Sequence, residues 1–222
     1  MNKRLIILGF LILAISVIGK LLFVAAKNIK VDDFHKSAVI FVVDSSASNQ
    51  AKLPEQIKYL KSLCSILDPE DEIKILKVSQ KAYLIYEGSP SDSTGITKAV
   101  NEFTKYDKND YGTAYGEGLK KAFSHCLTMK KEGYVPAIVV IGDLENEGDA
   151  AKQVNWDILP KNVEAVQQYA PDLAMMFVYA HPEKLDLVKE ILNPVLGEKK
   201  LIIANEQNAQ KAQRRFLDAI GR

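Results

Sequence analysis

Residues 38–43 read Ala-Val-Ile-Phe-Val-Val, an unbroken apolar and mostly β-branched run that predicts a strand buried on both faces. Over residues 53–67 the period changes: Ile57, Leu60, Leu63, Cys64 and Leu67 recur at helical spacing. Strands are predicted next at 72–78 and 82–86, then turn and cap chemistry in Ser-Pro-Ser-Asp-Ser-Thr-Gly at 89–95, and helices over 96–103 and 114–129. A second apolar run, Ala-Ile-Val-Val-Ile-Gly-Asp at 137–143, closes on a carboxylate as the first one does at Asp44. Residues 173–180 and 201–204 read as strands either side of a helix near 183–192. A last helix over 206–220 sets Ala209, Ala212, Phe216 and Ile220 on one side. Near-continuous apolar strands alternating with helices require a mostly parallel sheet covered on both faces, so the predicted fold class is a doubly wound, Rossmann-like α/β domain.

The first residues follow another rule. Lys3 and Arg4 precede an apolar stretch from 5 to 26 that only Lys20 interrupts among its charged positions, and about 20 residues suffice to cross a hydrocarbon core. Lys20 lies near enough to the end to snorkel. A cleaved signal peptide is the alternative, with Val24-Ala25-Ala26 as the cleavage region, but Leu21, Leu22 and Phe23 continue the apolar run where a polar region is usual. The expected organisation is a tail at 1–4, a transmembrane anchor at 5–26, a polar tether at 27–36 and one folded domain at 37–222. Lys27, Lys30 and Lys36 after the anchor outnumber the two basic residues before it, so the positive-inside count slightly opposes placing the domain outside the cytoplasm. The secretory look of the N-terminus favours that placement all the same.

Composition narrows the function. A chain of 222 residues, 47% hydrophobic and 26% charged, can build one sizeable core. Its 29 basic and 28 acidic residues leave a formal charge of +1, which gives no field to hold nucleic acid, so binding must come from a local site. Cys64 and Cys126 have no partner at metal-ligand spacing and are read as buried thiols; His35, His125 and His181 are scattered.

That local site is predicted at the carboxyl ends of the strands, where open α/β sheets bind ligands. The first strand runs into Asp-Ser-Ser-Ala-Ser, which has no glycine to admit a pyrophosphate; neither a phosphate-binding loop nor a nucleophile elbow occurs elsewhere. Carboxylate and hydroxyl oxygens converging on one rim suit a hard cation such as Mg²⁺. The simpler alternative is that Ser46 and Ser48 cap the following helix.

The pattern D-x-S-x-S after an apolar strand, Thr113 before a helix in Asp-Tyr-Gly-Thr-Ala, and Asp143 closing a later strand together resemble the metal ion-dependent adhesion site of von Willebrand factor type A domains. Tyr111 replaces the first glycine of that family's G-G-T loop, and Gly142 and Leu144 depart from its T-D-G turn. The resemblance covers residues 37–222 and implies roles. Ser46 and Ser48 would bind the ion through their hydroxyls, Thr113 directly or through water, and Asp44 and Asp143 largely through water. The ion, Mg²⁺ with Mn²⁺ or Ca²⁺ as alternatives, would accept an Asp or Glu carboxylate from a protein partner, so the implied activity is adhesion-type binding and not catalysis.

Two other readings remain. The two strand-end acids also look like a haloacid dehalogenase-type phosphohydrolase, but that family needs an aspartate two residues after the first, where Ser46 stands. A scaffold with a decayed metal site is the other. The acidic segment after Asp143 carries Glu145 and then Trp156, Ile158 and Leu159 in what reads as a long exposed loop, making Glu145 and Trp156 candidate partner contacts.

Overall fold

Ser37–Asp44 forms β1, and all eight of its residues are buried, as expected of a strand covered on both faces. The computed structural model describes residues 35–103, 105 and 112–222. The expected tail, anchor and most of the tether, and Tyr111, lie outside the described residues. Among the described residues no helix is long and apolar enough to cross a membrane.

After β1 come α1 (Leu53–Ile66), β2 (Glu72–Val78), β3 (Ala82–Gly88), α2 (Ser93–Phe103), α3 (Tyr115–Lys131) and β4 (Val135–Ile141). The chain continues through a short 3₁₀ turn at Ala150–Lys152, α4 (Leu159–Gln167), β5 (Ala174–Val178), α5 (Pro182–Leu196), β6 (Leu201–Ala204) and α6 (Ala209–Ala219). The sheet order is β3-β2-β1-β4-β5-β6. All neighbours are parallel except β2 and β3, whose three-residue connection permits only an antiparallel pair.

Side chains alternate along β1, and the two cores follow from that alternation. Ile40 and Val42 point into a core completed by Tyr115, Leu119 and Phe123 of α3, Val163 of α4 and Val188 of α5. Val39, Phe41 and Val43 point into a second core with Leu60 and Leu63 of α1, Phe103 of α2 and Phe216 of α6. Cys64 and Cys126 are free buried thiols, and burial pushes Cys64 up to about 12. At the amino ends of the strands, the Ser37 N–H donates to Asp71 Oδ1 at 2.7 Å, and Arg222 pairs with Asp68 and Asp71, tying the end of the chain to the start of β1.

The structure revises several expected boundaries. Helix α2 begins at Ser93, inside the predicted turn, because Asp92 Oδ1 accepts the Gly95 N–H at 2.9 Å. The loop after β4 is shorter and better ordered than expected. Asn146 pairs with Val154 in both directions, donating at 3.2 Å and accepting at 3.1 Å, and Asn155 Oδ1 accepts the N–H groups of Asp157 and Ile158. Helix α4 follows with Pro160 in its first turn. Leu159, expected in an exposed loop, is 3% exposed as the first residue of α4, and Trp156 is half-buried against the core; only Ile158 is exposed as expected.

Candidate metal site

Strand β1 pairs with β2 on one side and β4 on the other, so connections leave its end in opposite directions and a crevice opens at the carboxyl ends of β1 and β4. Asp44 stands at that point with no solvent exposure. Its Oδ1 accepts the Ser46 N–H at 2.7 Å and its Oδ2 accepts the Tyr115 hydroxyl at 3.0 Å. Burial pushes the Asp44 carboxyl up to about 7, and the neighbouring Asp143 charge adds to the shift, while the bonds from Ser46 and Tyr115 oppose it. Tyr115 itself is driven well above the usual phenol range by burial and by the charges of Asp44 and Asp143. It therefore keeps its proton for Asp44, and its oxygen accepts the Leu144 N–H at 3.3 Å. One phenol thus joins the ends of β1 and β4.

The serines after β1 divide the work. Ser45 is turned away from the rim, with its N–H at 2.8 Å and its hydroxyl at 3.0 Å from the Val78 carbonyl of β2. Ser46 Oγ and Ser48 Oγ lie 3.1 Å apart. Neither caps α1, whose first flanking residue is Lys52 and has no side-chain cap, so helix capping does not explain them. Asn49 fixes the loop from below: its amide donates to the Asp44 carbonyl at 3.0 Å and exchanges two hydrogen bonds with Gln56 of α1.

Thr113 enters from a second loop just ahead of α3. Its N–H donates to the Glu147 carbonyl at 3.0 Å, and Ala114 N–H donates to the Ser79 carbonyl at 2.7 Å. Its hydroxyl oxygen is buried with no hydrogen-bond partner. A buried hydroxyl without a partner costs about 1–3 kcal/mol; those of Tyr59 and Ser79 are in the same state, and at this rim the Thr113 oxygen is available as a ligand. Asp143 supplies the third corner, with Oδ1 accepting the Glu145 N–H at 2.9 Å.

The two departures at the β4 turn acquire reasons here. A Cβ on Gly142 would lie 2.0 Å from the Tyr115 hydroxyl and 2.5 Å from Asp44 Cβ, so only glycine admits the phenol that joins the strands. Leu144 holds φ 63°, the left-handed conformation for which glycine is usual, and its side chain is fully buried in the core, which offsets the strain.

These residues suit a divalent cation: the Ser46 and Ser48 hydroxyls beside each other, an unpartnered Thr113 hydroxyl, and two acids. Among the described residues no group of three or more His, Cys, Asp or Glu could hold a metal, so an ion here would rest largely on hydroxyl oxygens. Of the candidate partner contacts, Glu145 lies 3.8 Å from Lys184 in the first turn of α5, and Trp156 packs on the core. The residues missed by sequence reasoning are Tyr115, Asn49, Gln56 and Glu147. The last reaches Ser48 Oγ at 3.2 Å. It stands in the acidic segment after Asp143 that the sequence offered as a partner-contact loop.

A family model described as von Willebrand factor type A domain matches residues 39–146. Among solved structures, the conserved hypothetical protein BatB from Bacteroides thetaiotaomicron is 17% identical, with 82% of this chain and 98% of that chain covered and a TM-score of 0.56. A von Willebrand factor type A protein from Catenulispora acidiphila is 12% identical, covering 84% of this chain and 42% of that chain, with a TM-score of 0.55. Proximal thread matrix protein 1 from the mussel byssus, solved with a zinc-occupied MIDAS motif, is 10% identical, covering 83% of this chain and 48% of that chain, with a TM-score of 0.55. The chain thus spans less than half the length of the Catenulispora and mussel proteins. At these identities the likeness concerns the fold. No curated protein matches the sequence.

Proposed function

The chain carries a von Willebrand factor type A domain, and from that premise we propose that it binds a protein partner through a divalent cation held at the carboxyl ends of β1 and β4. Ser46, Ser48 and Thr113 would hold the ion through their hydroxyls, with Asp44 and Asp143 behind them. A cation with so few anionic ligands stays electrophilic and takes a carboxylate from a partner's Asp or Glu. Mg²⁺ is the expected ion, with Mn²⁺ or Ca²⁺ as substitutes. The observation that carries this reading is the buried, unpartnered Thr113 hydroxyl. The zinc-occupied motif named for the mussel protein supports it, because that protein shares the fold. We place the domain on a membrane through residues 5–26, facing away from the cytoplasm.

Binding, and not phosphate hydrolysis, is the activity we assign. Both Asp44 oxygens are engaged, by Ser46 N–H and by Tyr115, in a residue with no exposure, which is a poor setting for a nucleophile. Ser46 occupies the position where a proton-transfer acid would be needed.

Calorimetry of the full chain in detergent tests the reading, with Thr113→Val as the probe. The variant should lose Mg²⁺ and Mn²⁺ binding, and in chelator it should match or exceed wild-type stability by about 1 kcal/mol, because the change removes an unsatisfied buried hydroxyl. Wild type should turn over no aryl phosphate above background in Mg²⁺. Equal metal affinity in the two proteins would refute the site, and metal-dependent phosphatase activity lost in Asp44→Asn would replace it with the enzyme.

A further inference from the structure

Glu147 is an acid for which loop solvation is an insufficient description. Its backbone carbonyl accepts the Thr113 N–H at 3.0 Å and forms an isolated antiparallel bridge, docking the β4 loop on the Thr113 loop. Gly112 makes that docking possible, since it sits at φ 123° and a Cβ there would lie 3.0 Å from the Glu147 carbonyl and 3.1 Å from Gly148 Cα. With the backbone so held, the side chain reaches the first loop, where Oε2 accepts the Ser48 hydroxyl at 3.2 Å; Ser48 in turn lies 3.1 Å from Ser46 Oγ. Glu147 is thereby the residue that touches the Ser48 and Thr113 loops while belonging to the Asp143 loop.

Charge makes the placement informative. Glu147 and Thr113 both line a cavity of about 190 Å³, and Lys152, the cation on its wall, lies 3.7 Å from Asp149. Among the described residues Glu147 forms no ion pair within 4 Å, and its carboxylate meets the Ser48 hydroxyl, with that of Ser46 next to it. Anchoring the loop needs only the backbone bridge. The side chain adds a carboxylate oxygen beside the hydroxyl shelf.

We infer that Glu147 is an internal ligand of the metal site, a carboxylate supplied by the chain itself at the coordination position otherwise open to a partner's acid. This rests on the metal reading of Ser46, Ser48 and Thr113 and adds regulation to it: the site caps itself, holds its ion more tightly, and admits an acidic partner only when Glu147 swings away. An incoming carboxylate then competes with a tethered one, whose effective concentration is high.

The test is Mn²⁺ calorimetry on the full chain in detergent, with wild type, Glu147→Ala, Glu147→Gln and Thr113→Val, each with and without millimolar acetate as a free carboxylate. Glu147→Ala and Glu147→Gln should bind Mn²⁺ more weakly, on the order of tenfold, as loss of a ligand-shell group generally costs. Acetate should recover most of that loss in both variants and change wild type little. Because Glu147 is exposed, its two variants should melt like wild type in chelator. Unchanged Mn²⁺ affinity in the Glu147 variants, or equal acetate effects on them and wild type, would reduce Glu147 to a loop tie and leave the metal site standing. Wild type that binds no Mn²⁺, or Thr113→Val that binds as well as wild type, would instead overturn the metal reading and this inference together.

Discussion

Asp44 gathers at one residue the conflict on which the site depends, since a carboxylate is held without solvent beside a second acid and against a neutral phenol. In metal-free protein burial pushes its carboxyl up to about 7, against 3.8 ordinarily. Between those values the folded chain keeps a proton that the unfolded chain releases, so the folded state binds more protons and stability falls as pH rises through the window. The fall should approach, at most, about 1.4 kcal/mol per pH unit. Denaturant melts of wild type in chelator from pH 4 to 7.5 should show this decline, and Asp44→Asn should be nearly flat over the same range. A wild-type profile as flat as the variant's would mean that Asp44 is solvated well enough to ionise freely.

Between elements, the β4 turn and the start of α3 are built as one piece. Tyr115 can bond Asp44 and Leu144 only because Gly142 leaves room for its hydroxyl. Gly142→Ala should therefore cost more than about 2 kcal/mol, since the new methyl must displace buried Tyr115 or Asp44 atoms, and it should weaken metal binding as well. Gly133 supplies the control: its φ is 92°, but a Cβ there meets nothing within 4 Å, so Gly133→Ala should pay backbone strain alone, about 1 kcal/mol, with metal affinity unchanged. Equal losses in the two variants, read from urea melts, would show that packing around Tyr115 is looser than its contacts imply.

For the whole molecule, the proposed anchor at residues 5–26 carries a test of the side on which the domain lies. The rim with Asp44 and Thr113 lies at the carboxyl ends of the strands, whereas Ser37, where the chain enters the sheet, lies at the amino end of β1. The length of β1, about 3.3 Å per residue, therefore separates the start of the sheet from the rim. Protease added to intact cells or spheroplasts should degrade the domain if it faces away from the cytoplasm. Full protection until lysis would place it inside.

The sequence alone determined the sheet and its rim, because strands buried on both faces must be written as continuous apolar runs, and Asp44 and Asp143 end two of them. Asp44, Ser46, Ser48, Thr113 and Asp143 could be picked out as a candidate set because two of them end strands, Thr113 precedes a helix, and the pattern resembles a known adhesion site. Tyr115, Glu147 and the buried side of Leu159 could not. Tyr115 meets Asp44 across 71 residues and Glu147 meets Ser48 across 99, and a phenol near a helix start or an acid in an acidic loop looks the same in sequence whether it is solvated or bonded. Local pattern records how much of a residue is buried, whereas the partner it meets is set by how distant loops close on one another, and that closure is what only the tertiary structure decided.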